Sequence, residues 1–177
     1  MVIFAPASGQ LSSARHHKNM LYPNFRFLPI GLLLCTLLAA CGPTYLFESK
    51  QDIPGGQWAY ADTLNFQFEV RDTASRYDFF LDFDYDQDFA FQNIYLKLST
   101  QYPDGKRLSK LRSFDLFDTQ GKALGTGSGA RHQLRASLQD NAFFNQPGLH
   151  TVTVEQYTRR DPLPSVRAVG LAVARRE

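Results

Sequence analysis

LNFQFEV, residues 64–70, decides the fold. Leu64, Phe66, Phe68 and Val70 alternate with Asn65, Gln67 and Glu69. A period of two places every second side chain on one face of an extended chain, so this stretch predicts a strand with one buried face. The pattern recurs along the chain. Leu81, Phe83 and Tyr85 alternate with Asp82, Asp84 and Asp86, and Ile94, Leu96 and Leu98 with Asn93, Tyr95, Lys97 and Ser99. LRSFDLFD, from Leu111, predicts another strand, with an irregularity near Ser109–Leu111. Val152 and Val154 sit among Thr151, Thr153 and Glu155, and Val169, Leu171 and Val173 form the last run, with small residues between them.

Turn residues separate these runs. Ile53-Pro54-Gly55-Gly56 precedes the first long strand, and Pro103-Asp104-Gly105-Lys106 predicts a tight hairpin, since Pro fixes φ and Gly permits positive φ. Asp118-Thr119-Gln120-Gly121 is a further turn, and Gln146-Pro147-Gly148 opens the Val152 strand. No long amphipathic helix interrupts the series. The expectation is an all-β fold, an antiparallel β-sandwich of about eight strands of jelly-roll or Ig-like type. The segment 125–141 has the least regular pattern, and Leu134–Asp140 fits either a strand or a helical turn.

Upstream the composition differs. The apolar run Leu28–Ala40 is shorter than the roughly 20 residues of a membrane span and is weakened by Pro29 and Gly31. Arg15, Lys18 and Arg26 precede it, and no acidic residue occurs before Glu48. This is the layout of a helical secretory signal, and Met20 opens a signal of ordinary length. Leu38-Ala39-Ala40-Cys41 matches a bacterial lipobox, in which small residues admit a peptidase and the cysteine thiol accepts a diacylglyceryl group. Residues 1–40 are therefore expected to be cleaved, taking Cys35 with them. Cys41 becomes the lipid-bearing N-terminus, 41–47 a tether, and 48–177 a single β-sandwich domain. One acyl chain binds a membrane marginally, whereas two or three hold it stably.

Removing the leader changes the charge. Three of the 19 Lys and Arg, but none of the 17 Asp and Glu, precede Cys41, leaving 16 basic against 17 acidic residues. No general basic field for nucleic acid remains. With Cys41 acylated no thiol is left, so neither a disulfide, nor a thiolate metal site, nor a cysteine nucleophile is expected.

DFDYDQD, Asp82 to Asp88, is the sharpest local feature. Asp82, Asp84 and Asp86 match the opening of an EF-hand loop, but Gln87 stands where that loop needs Gly and Asn93 where it needs Glu. The stretch is read as an outward acidic stripe of Asp82, Asp84, Asp86 and Asp88 that discourages edge pairing and could steer a basic partner. GTGSGA, Gly125–Ala130, departs from G-x-G-x-x-G at Ala130 and from G-x-S-x-G around Ser128, and is read as a flexible loop. His132 and His150 show no metal spacing. Arg159 and Arg160, in a proline-bearing loop, form a second candidate partner surface suited to carboxylates. Trp58 is either a core anchor or, in a carbohydrate- or peptide-binding sandwich, a ligand platform.

An ordered set of short motifs then carries a resemblance. Pro54-Gly55-Gly56-Gln57-Trp58 follows the lipobox; Asp62, Phe66, Phe68 and Asp72-Thr73 fit D-x-x-x-F-x-F-x-x-x-D-T. Asn93-Ile94-Tyr95-Leu96 and Pro103-Asp104-Gly105 fit an N-L-Y-L strand and P-D-G turn, and Gln156, Arg159, Leu163, Pro164, Val169, Gly170 and Leu171 fit Q-x-x-R-x-x-x-L-P…V-G-L. Across residues 41–177 the chain resembles the gliding-motility lipoprotein H (GldH) family of Bacteroidetes. It departs from that pattern at Ser165, where Gly is expected, and at Ala172, where a basic residue is common. The resemblance implies a noncatalytic cell-envelope lipoprotein that supports gliding motility and the type IX secretion machinery as an assembly or scaffold component, while Gly42 rather than Asp after Cys41, with no acidic cluster following, predicts an anchor facing the periplasm. Its implied partners are other envelope proteins of that machinery, with no cofactor, small-molecule substrate or nucleic acid.

Overall fold

The computed structural model describes residues 43–176. The expected signal peptide, the expected start at Met20 and the expected lipidation site Cys41 lie outside that range. The strands are β1 (Tyr45–Asp52), β2 (Gln57–Trp58), β3 (Leu64–Val70), β4 (Arg76–Asp86), β5 (Asn93–Gln101), β6 (Arg107–Asp115), β7 (Thr126–Ser128), β8 (Arg131–Ala142), β9 (Gly148–Gln156), β10 (Leu163–Pro164) and β11 (Val166–Arg176). Eight of them have seven residues or more. A single 3₁₀ turn, Pro54–Gly56, is the one helical element among the described residues.

Two sheets form the sandwich, ordered β1-β11-β4-β8-β7 and β3-β9-β5-β6, with β2 and β10 pairing separately. The primary pairings are β1 with β11, β3 with β9, β4 with β8 and β5 with β6, all antiparallel. First long strand pairs with last, second with seventh, third with sixth and fourth with fifth. A single long double ribbon is thus folded across itself, and β11–β4 and β9–β5 pairing completes the sheets. This is the jelly-roll order, which decides between the two sandwich types left open by the sequence.

The alternating runs supply the core. Phe66, Val70, Leu81, Phe83, Ile94, Leu96, Val154, Leu171 and Val173 are buried between the sheets. Each such side chain contributes about 1.5–3 kcal/mol by leaving water. Tyr85 is buried too and donates its hydroxyl to the Leu116 carbonyl at 2.8 Å, which satisfies its polar end. His150 is buried, stacked on Phe68 and edge-on to Phe144, with Nδ1 3.1 Å from the Gly148 carbonyl.

Several expectations need correction. β1 begins at Tyr45, inside the stretch read as a tether, because Phe47 packs on Phe68. No irregularity occurs at Ser109–Leu111: the β5–β6 register is continuous from Asn93↔Asp115 to Gln101↔Arg107. β6 instead starts at Arg107 and is an edge strand, mostly exposed, which erases its apolar alternation. The stretch 134–140 is strand. The glycine-rich segment is not a loop throughout, for Thr126–Ser128 pairs with β8. A Cβ on Gly125 would lie 2.3 Å from the Gln133 carbonyl oxygen, and one on Gly127 (φ 150°) 2.2 Å from that of Arg131. Those glycines allow the close backbone approach.

Candidate partner-binding surfaces

The outer face of the five-stranded sheet carries the acidic ladder. β4 lies inside that sheet, between β11 and β8, so the ladder does not guard an edge. The register sets Asp82 beside Gly170 on one side and Arg135 on the other, and Asp84 beside Ala168 and Gln133. Between residues 168 and 174, β11 presents only small residues to this face: Ala168, Gly170, Ala172 and Ala174. Their size leaves a trough over which the long side chains of the flanking strands close. Lys50 of β1 crosses β11 to Asp84 at 2.7 Å. Arg135 of β8 binds both Asp82 oxygens at 2.7 Å, the Tyr45 hydroxyl at 2.7 Å and Glu48 at 2.6 Å. These contacts, the Asp82 pair foremost, raise the Arg135 pKa above its ordinary value.

Asp86 is buried at the end of β4, in contact with Arg167 of β11, whose pKa it raises. Asp88 stands exposed in the turn beyond. Three of the four carboxylates are therefore matched by cations of the same domain. The stripe is an internal brace, and the like-charge field expected of it is largely neutralised. Among the described residues, no group of three or more His, Cys, Asp or Glu side chains is arranged to hold a metal ion. His132 meets Gln87 at 2.6 Å and His150 sits in the core, so the two histidines do not converge.

The second candidate surface is built from further apart. Gln156, buried at the end of β9, accepts hydrogen bonds from the Thr158 amide and hydroxyl and donates Nε2 to the Arg160 carbonyl at 3.1 Å. This amide shapes the loop that presents Arg159 and Arg160, both exposed. Asp161 accepts a hydrogen bond from the Tyr60 amide at 2.9 Å, and the Tyr60 hydroxyl donates to the Thr158 carbonyl. Tyr60, Lys97, Glu155, Tyr157 and Arg159 then line a shallow cleft. Tyr60 and Tyr157 are 46% and 57% exposed, and Tyr95, whose carbonyl receives the Tyr157 amide, 48%. Lys97 pairs with Glu155 at 3.1 Å, while neither Arg159 nor Arg160 has an ion-pair partner among the described residues. The sequence offered Arg159 and Arg160 but not their neighbours. Tyr60 lies some hundred residues away, and no local pattern marks it.

Trp58 is fully buried and donates Nε1 to the Asp62 carbonyl at 2.7 Å. It is a core anchor, and no ligand can stack on it. It also pairs across β2 and β10 with Leu163, as Gln57 does with Pro164. Pro54–Trp58 and Leu163–Pro164, distant in sequence, thus form one structural unit. Asp72 opens a turn, accepting from Ser75 and Ala74 and pairing with Arg175 at 3.1 Å. The short motifs singled out in the sequence build turns and joints.

The profile of the GldH lipoprotein family matches residues 45–173. A gliding motility lipoprotein GldH homolog of Christiangramia forsetii is 23% identical over 132 residues, covering 75% of this chain and 80% of the relative. The gliding motility lipoprotein GldH of Flavobacterium johnsoniae is 21% identical over 141 residues, covering 79% and 87%. Among solved structures, a carbohydrate-binding module (CBM28) specific for non-crystalline cellulose aligns over 73% of this chain and 72% of its own, with a TM-score of 0.38 and 10% identity. Latent PorU from Porphyromonas gingivalis aligns over 75% of this chain and 13% of its own, with a TM-score of 0.31 and 11% identity. At these scores neither structure bears on function.

Proposed function

This chain belongs to the GldH lipoprotein family, a cell-envelope family named for gliding motility, and from that membership we propose that it is a lipid-anchored, noncatalytic assembly or scaffold component of the gliding and type IX secretion machinery. Cys41 carries the acyl chains, and the jelly roll faces the periplasm and works through its surface. The observation that carries the choice of surface is the exposed cluster of Tyr157, Arg159 and Arg160, on a loop braced by buried Gln156, with Tyr60 packed beside it from the turn after β2. Tyrosine and arginine are the residue types that dominate protein–protein contacts, and guanidinium groups without internal partners are available to a partner's carboxylates. The neutralised face of Asp82 and Asp84 offers less, and Asp88 is the one carboxylate of the ladder fully open to a partner.

Crosslinking and pull-down from envelope fractions tests this reading. The wild-type chain is expected to recover other envelope proteins, and the Arg159→Glu/Arg160→Glu variant, folded by circular dichroism, to lose them. Recovery of the protein alone, with gliding and secretion unaffected by its deletion, overturns the proposal. Mass spectrometry is expected to find acylated Cys41 at the N-terminus. An intact, unmodified Cys41 defeats the anchor.

A further inference from the structure

The two long sides of the sandwich differ. On one side β1 and β3 close together: Gln51 donates to the Asn65 carbonyl at 2.7 Å, and Phe47 packs on Phe66 and Phe68. On the other side β6 is an edge strand, and β8 beyond Gln133 has lost its neighbour, because β7 covers only Arg131–Gln133. Two strand edges therefore face each other across an open groove of about 180 Å³. Its floor is apolar, formed by Phe68, Phe79, Leu98, Leu138 and Val152. Its rim includes Leu108 and Phe143, 46% and 58% exposed.

The groove is also charged, with one sign. Lys110 and Arg112 line it from β6, Arg76 lies 4.8 Å from the Phe143 ring, and no carboxylate lines it. Arg112 donates to the Leu138 carbonyl at 3.2 Å, so a cation already reaches the backbone of β8 from across the groove. None of these three cations is in an ion pair among the described residues. Charged side chains on an edge strand discourage pairing with like edges. They do so selectively, because lysine and arginine repel a basic strand and attract an acidic one.

We propose that this groove receives an extended segment of a partner protein that adds as a strand to the free edge of β8 and carries both apolar residues and carboxylates at every second position, on the face turned into the groove. Backbone hydrogen bonds to the β8 edge within 134–142 supply affinity; of the side chains on the inward face, the apolar ones enter the floor and the carboxylates meet Lys110 and Arg112. The site is separate from the Arg159 loop, and its failure leaves the proposed function standing.

Amide hydrogen exchange on the full chain in detergent micelles tests it with two blocked eight-residue peptides that have Thr at every second position, the positions between holding Val and Glu in one and Val and Lys in the other. At roughly millimolar peptide, the Glu-Val peptide is expected to protect amides within 134–142 and the Lys-Val peptide to leave them unchanged. Lys110→Glu is expected to weaken the effect about tenfold. This residue makes no hydrogen bond that the fold depends on, and the Arg112→Glu variant, checked for folding, gives a second reading. The proposal is overturned by equal protection from both peptides, by protection that survives Lys110→Glu, or by no protection of 134–142. Concentration-dependent protection without peptide assigns the groove to a second copy. Protection by anionic lipid vesicles but not by peptide assigns it to lipid. Either result also overturns the proposal.

Discussion

Arg135 on β8 hydrogen-bonds Glu48 on β1 across two intervening strands, β4 and β11. The reach exists because Ala172, next to Glu48 in register, is small and leaves the surface between them open. The brace ties the first long strand to the sixth through one guanidinium that also holds Asp82 and Tyr45. Arg135→Ala is expected to cost about 1–3 kcal/mol in urea unfolding, since Asp82 keeps only 14% exposure and loses its charge-assisted partner. Reversing Asp82, Asp84 and Asp86 to Lys is expected to cost more, because Arg135, Lys50 and Arg167 would each face a like charge. That reversal therefore cannot report on binding alone.

Ser165 has φ 68°, a left-handed conformation that glycine adopts freely and other residues at about 1–2 kcal/mol. It stands where the family pattern has Gly, and the backbone explains the pattern. Its amide bonds the Gly56 carbonyl and its carbonyl the Asp86 amide, so the conformation is fixed by both sides. Ser165→Gly is expected to raise stability by up to about 1 kcal/mol, after the greater freedom glycine gives the unfolded chain. Thermal denaturation measures it. A fall in midpoint would contradict the account.

Asp72 and Asp104 both have lowered pKa values. For Asp72 the Ser75 hydroxyl and the amides of Ser75 and Ala74 lead, and for Asp104 the Lys106 amide and Gln146. The unfolded chain protonates these carboxyls near pH 3.9. Because the folded values are lower, their stabilisation is fully present at neutral pH and is lost as pH falls below about 4 toward the folded values. Asp72→Asn is expected to lower stability at pH 7 and to flatten the acid limb of the stability–pH curve. An unchanged limb would show that Asp72 titrates normally.

Trp58→Ala is expected to destabilise the domain by about 3–5 kcal/mol, the cost of emptying a fully buried aromatic site. Gly125→Ala is expected to cost about 1–3 kcal/mol by overpacking against β8. It is also expected to open the segment 124–130 to limited proteolysis. Cleavage there no faster than in the wild type would show that β7 tolerates the added methyl.

Strands whose inward side chains are all apolar were legible, and β3 runs over the very residues 64–70 that alternate. β1 was not, because its inward positions opposite Leu171 and Val169 are Ser49 and Gln51, which carry no hydrophobic signal. β6 was misread at its start for the opposite reason: Leu111 is apolar yet 56% exposed. The ladder of Asp82, Asp84 and Asp86 was visible, but its meaning was not. The matching cation for Asp82 lies 53 residues downstream and for Asp86 81 residues downstream, separations that only the pairing of strands brings together. Arg159 and Arg160 were identified, while the buried Gln156 that positions them was noted only within a motif and without a physical role.

The position of β11 has a consequence for how this chain comes to exist as a folded object. The last strand is inserted between the first and the fourth, and the Arg175 amide bonds the Thr44 carbonyl at the outer limit of the fold. β1 cannot join the five-stranded sheet until Val166–Arg176 has been made, whereas β4, β8 and β7 pair with one another without it. Sequence-distant pairing of this kind makes folding slow. Val166–Arg176 act as the latch of the domain, so deleting these eleven residues would leave β1 and β4 without the strand that joins them.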